Sequence, residues 1–123
     1  MNVVLWVLQG LLAVAFAGAG IIKTTRPKDQ LKAAMPWTED FSATQIKGIG
    51  ALEFLAALGL ILPAVTGIAP VLTPLAATGL VLVMAGAILT HLRRKESSVI
   101  VVNVVLLALA AVVAWGRFGP YAF

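Results

Sequence analysis

The chain has 123 residues, 61% of them hydrophobic and 11% charged, with a formal net charge of +4. Soluble domains carry about 25% charged residues, and a soluble chain this short leaves too much surface exposed to hide so large an apolar fraction. A soluble globule is therefore excluded, as are disulfides, thiol redox relays and thiolate metal sites, because there is no cysteine.

The first apolar run covers residues 3–22, enough to cross a hydrocarbon core about 30 Å thick. Ala15-Phe16-Ala17 resembles a signal-peptidase site, but no Lys or Arg precedes the run, and a secretory signal needs a basic start. The run is expected to stay as a membrane helix. Residues 23–42 form the longest polar stretch, KTTRPKDQLKAAMPWTEDFS. Pro27 can open a short helix with Leu31, Ala34 and Met35 on one face, and Pro36 ends it. With Trp37 alongside, such a basic amphipathic segment suits the headgroup layer; an ordinary solvated loop is the alternative.

The second helix is expected over residues 43–62. Ser42 and Gln45 fit a capping box, Phe41 and Ile46 a hydrophobic staple, and Pro63 reads as the stop. After an uncharged connection, Thr73 reads as an N-cap with Pro74 at the first helical position, opening a third helix over 74–92. A basic turn follows, Arg93-Arg94-Lys95-Glu96, and Ser98 can cap a fourth helix over 99–115. The expected fold is all-α: one domain over residues 1–123, an integral membrane bundle of four transmembrane helices with a short interfacial helix in the first loop. Small residues mark close helix approach in lipid: Ala13/Ala17 and Ala15/Ala19 in the first helix, Gly79 and Gly86 in the third.

Eight of the nine basic residues (Lys23, Arg26, Lys28, Lys32, Lys47, Arg93, Arg94 and Lys95) belong to the first and third loops and their flanks, against Arg117 alone on the other side. Residues so placed are topology signals and anionic-lipid contacts, and nucleic acid is excluded as a partner. The positive-inside rule puts loops one and three in the cytoplasm and both termini outside. Trp6, Trp115, Phe118 and Tyr121 would then form the outer aromatic belt.

An ionisable side chain inside a transmembrane helix costs about 2.5–3.5 kcal/mol on insertion scales, so Glu53 needs a reason. Gly50 and Ala57, at i−3 and i+4, put it on the small-residue face, inside the bundle. The up-and-down order carries three more polar groups to the cytoplasmic third: Lys23 ending helix one, His91 in the last turn of helix three, and Asn103 about one turn into helix four. In the outer half Gln9 is the one comparable group. Two readings stand side by side. In the first, Glu53, His91, Asn103 and Lys23 form a ligand-binding pocket, since intramembrane acids mark function by default. In the second, Glu53 is a structural clamp to His or Lys, Asn103 bonds across helices as glue, and His91 is favoured by its helix end. No catalytic residue set, metal-ligand spacing or phosphate-binding loop is visible, and a single His excludes bis-His haem ligation within one chain.

Residues 48–63, GIGALEFLAALGLILP, resemble the second helix of DoxX-like membrane proteins. So do LAATGL from Leu75, MAGA from Met84, and His91 with the basic turn ending in Glu96. The end of helix one, AGAGIIK from Ala17, is similar to the family's glycine-rich segment closed by Lys. The resemblance covers most of the chain. It implies a small four-helix protein of the bacterial cytoplasmic (inner) membrane. The family takes its name from subunits of an archaeal thiosulfate:quinone oxidoreductase, and some relatives are linked to oxidative-stress defence. The resemblance thus implies a membrane subunit or accessory component of a quinone-linked or redox-stress system rather than a self-contained enzyme. Quinone as a ligand or cofactor is implied by the resemblance alone. The expected partners are the lipid bilayer, with room for an oxidoreductase partner protein and a homo-oligomer. Two further readings remain. One is a small proton-coupled transporter using Glu53, although small multidrug transporters carry their acid in the first helix and this first helix has none. The other is a non-catalytic membrane scaffold.

Overall fold

The computed structural model describes residues 1–27, 29–31 and 35–122. Among them are four long helices, α1 (Asn2–Thr25), α2 (Ala43–Thr66), α3 (Leu72–Arg94) and α4 (Ser97–Phe118). Each is long and apolar enough to cross a membrane; the shortest has 22 residues and spans about 33 Å. Consecutive helices run antiparallel. Contact is most extensive between α1 and α2 and between α3 and α4, and the α2–α3 and α1–α4 contacts close the ring. Leu12, Phe16, Ala57, Leu60, Leu80 and Ala110 are buried on the axis, while residues such as Val14, Leu55 and Leu82 stand exposed on the outside, where lipid is their solvent. Loops one and three share the basic end of the bundle; both chain termini lie at the other, terminal end.

In the first loop, residues 29–31 make a helical turn with the N–H groups of Gln30 and Leu31 donating to Pro27 O, and a 3-10 turn follows at Pro36–Asp40. The helix expected there is minor. Leu31 is buried; Ala34, expected on the same face, lies outside the described residues. The Ser42–Gln45 capping box forms as expected, each side chain bonding the other's backbone N–H.

Several helix ends differ from expectation. Pro63 does not stop α2, which continues to Thr66 and closes on Gly67 in the left-handed region. Proline removes the N–H that would bond the carbonyl of Gly59. The hydroxyl of Thr73 supplies the missing donor, 2.9 Å from Gly59 O, and the amide of Gln9 donates to the next carbonyl, Leu60 O, at 2.7 Å. Neighbouring helices thus re-satisfy the interrupted ladder, the arrangement that lets proline persist in membrane helices. Thr73 is for the same reason not an N-cap: α3 begins at Leu72, and the Thr73 side chain faces α2. Ser98 likewise caps nothing. The N-cap of α4 is Glu96 with no side-chain capping bond, since Glu96 faces His91 and Arg94 instead.

Candidate functional site: a polar cleft at the basic end

Close approach of α1 and α2 builds the site. A Cβ on Gly20 would stand 2.5 Å from Gly50 O, and one on Gly50 would stand 2.7 Å from the Cβ of Lys23. Neither position has room for a side chain. Because the helices are antiparallel, Lys23 crosses Gly50 while Glu53, one turn further along α2, comes level with Gly20. The Lys23 ammonium donates to Glu53 Oε1 at 2.6 Å, with side chains 11% and 1% exposed. Other contact glycines do the same work elsewhere: Gly59 meets Ala76 between α2 and α3, and Gly116 meets Leu5 between α4 and α1. Gly79 and Gly86, expected to mark a contact face on α3, have open space where a Cβ would lie.

His91, in the last turn of α3, pairs with a different acid. Its Nδ1 lies 2.9 Å from Glu96 Oε1, an oxygen that also accepts from Arg94 Nε at 3.2 Å. Glu53 and His91 therefore each have their own partner, and Trp37 from the first loop stands beside Lys23 and His91. The Lys23 ammonium is 5.3 Å from the Trp37 ring centroid, and the His91 ring meets Trp37 edge-on at 6.4 Å. Phe41 packs edge-on against Trp37 at 5.5 Å.

These residues border a cleft of about 640 Å³. Lys23, Trp37, His91 and Asn103 line it together with apolar groups from α2 and α3, among them Ile49, Val83 and Met84. Asn103 is 8% exposed, and its side-chain Nδ2 has no hydrogen-bond partner among the described residues. Three of the four expected site residues thus share one cavity wall. The fourth, Glu53, is not in the lining; it holds Lys23, which is. Trp37 was legible in the sequence only as a headgroup anchor, and nothing in its spacing points to His91.

A second polar cluster, at the terminal end, lay outside the sequence reading. Arg117 is not a loop cation: α4 runs on to Phe118, and Arg117 is 3% exposed. Its Nε donates to Gln9 Oε1 at 2.7 Å, and its Nη1 donates to Asn2 Oδ1 at 2.6 Å and to Tyr121 O at 2.9 Å. The guanidinium also stacks 5.6 Å from the Trp6 ring centroid. Through Gln9 this network reaches Leu60 O beside the proline of α2. A buried polar residue, Gln9, near the start of α1 was the available signal for a partner at the other chain end.

The cleft offers a buried amide donor, an ammonium already paired, an imidazole already paired, and apolar walls. Among the described residues its lining contains no nucleophile–base pair. The DoxX-like family model matches residues 7–113. No curated protein and no solved structure matches the chain. The family match spans all four helices and includes Lys23, Glu53, His91 and Asn103, so this four-helix membrane protein belongs to the DoxX-like family.

Proposed function

We propose that the protein binds a small amphipathic molecule with a quinone-type head group in the cleft at its basic end. On this reading it serves as the membrane component of a quinone-linked or redox-stress system, seated in the bacterial inner membrane with loops one and three in the cytoplasm. The observation that carries it is the Asn103 amide, buried in the cleft wall without an acceptor among the described residues. A buried donor left unpaired costs about 1–3 kcal/mol, and a ligand carbonyl oxygen would satisfy it. Burial of a ring against Trp37, Val83 and Met84 would supply apolar contact. Redox chemistry would belong to the bound molecule or to a partner oxidoreductase, with this chain holding and orienting the head group.

The transporter reading has less support. Glu53 faces Lys23 rather than the cleft, and a second, smaller cavity of about 210 Å³ lies at the terminal end beside Arg117. Between the two ends stands the buried apolar layer of Leu12, Phe16, Ala57 and Leu80. For Glu53 itself the clamp is the better reading, with the pocket built on Lys23, His91 and Asn103.

The test uses the full chain in lipid nanodiscs, with Trp6 and Trp115 replaced by Phe so that Trp37 alone reports. A benzoquinone carrying a decyl chain should quench Trp37 saturably. Asn103→Leu should weaken that binding about tenfold, the equivalent of one lost hydrogen bond. Quenching that rises linearly without saturation would overturn the proposal.

A further inference from the structure

The cleft does not end inside the bundle. Its lining continues round α3 from buried Met84 and His91 to Leu82, Gly86 and Leu89, and those two leucines are 69% and 56% exposed. With 3.6 residues per turn, Leu82, Gly86 and Leu89 lie on one face of the helix. Gly86 stands between the leucines, and a Cβ built on it would meet nothing within 4 Å. Helix packing therefore gives no reason for glycine here, although glycine inside a helix costs about 1 kcal/mol relative to alanine. What sets Gly86 apart from the other open glycines is its place in the cleft wall.

Depth gives the opening its meaning. Gly86 is eight residues from Arg94, the end of α3, so the notch lies about 12 Å into the bundle from its basic end. That is hydrocarbon depth for a helix with this exposed face. His91 lies only about 5 Å from the same end. On the aqueous side the cleft is bordered by the loop residues Met35, Pro36 and Trp37. Polar groups thus gather at the shallow end of the cleft, and an apolar notch opens sideways at the deep end. Arg93 stands exposed at the rim, while further in, beside Asn103, Lys23 is matched by Glu53 and His91 faces Glu96. An uncharged acceptor fits there better than an anion.

Building on the binding reading above, we infer that the ligand reaches the cleft sideways from the bilayer, through the notch at Gly86. It is an amphiphile whose uncharged, oxygen-bearing head lies at Asn103 and His91, and whose hydrocarbon chain leaves between Leu82 and Leu89. Chain and notch are the specificity device: the same head group without a chain has no use for the opening.

The experiment compares two probes in nanodiscs by Trp37 quenching, a methyl-dimethoxybenzoquinone without a chain and the same ring carrying a decyl chain. Gly86→Leu fills the notch in a position with open space, so its Tm should not fall. It should weaken binding of the decyl probe by about tenfold or more, and leave the chainless probe within about twofold. Leu89→Phe, on the rim, is the second variant and should act in the same direction. Decanoate, matched in chain length but anionic, should leave the decyl probe bound. Unchanged decyl-probe binding in both variants, or equal weakening of both probes, overturns the portal, and displacement by decanoate overturns the head-group assignment. A wild type that binds neither probe removes the binding reading itself, and the portal with it.

Discussion

Lys23 and Glu53 form an ion pair inside the bundle, and the energetics of such pairs are asymmetric. Two buried charges together can be close to neutral in net stability, but removing one partner leaves the other uncompensated, at about 3–5 kcal/mol. Glu53→Gln or Lys23→Met should therefore lower Tm clearly, and the double variant Lys23→Met/Glu53→Leu should recover most of the loss. Thermal unfolding of the four proteins in one detergent measures this, and a Glu53→Gln protein with the wild-type Tm would mean that the pair does not clamp α1 to α2. The participating residues were legible because polar groups stand out in apolar runs, and spacing sets their depth along each helix. The pairing was not legible. Sequence gives no rotation of one helix about another, so Glu53 could equally have met His91; the Gly20–Gly50 crossing decides for Lys23.

At the level of helices, Pro63 and Thr73 act as one device. The proline leaves Gly59 O without its intrahelical donor, and the threonine hydroxyl of the next helix replaces it. Thr73→Val should cost roughly 1 kcal/mol, the usual scale of an interhelical side-chain bond in membranes. In a Pro63→Ala background the α2 ladder regains its own N–H donor, and the same Thr73→Val change should become nearly neutral. A double-mutant cycle reads the coupling; additive effects would separate the two residues. The number of helices and the capping box at Ser42 were readable from periodicity and local chemistry, whereas the basic turn expected at residues 93–96 narrows to Lys95 and Glu96 because α3 runs through Arg94. Pro63 misled as a stop because the stop rule assumes a helix alone, whereas here Thr73 and Gln9 from neighbours take over the freed carbonyls. Arg117 misled because the fourth helix was expected to end at residue 115, yet it carries through to Phe118.

Across the whole molecule, polar networks tie both ends and an apolar layer separates them. With Arg117 inside the bundle at the terminal end, the exposed cations in the loops, such as Arg26, Arg93 and Lys95, all stand at the basic end. That asymmetry sharpens the expected orientation with loops one and three cytoplasmic. The chain has no native cysteine, so single cysteines report cleanly. Thr25→Cys should be shielded from a membrane-impermeant thiol reagent in intact cells, and Ala122→Cys should be labelled. The reverse pattern would invert the topology. Lys23 lies 30 residues before Glu53, so the ion pair is contained within the α1–α2 hairpin. An intramembrane acid alone would resist insertion; beside Lys23 it is compensated without any residue of α3 or α4. The first hairpin therefore carries its own charge balance, and a truncated chain of α1 and α2 would hold no uncompensated acid in the lipid.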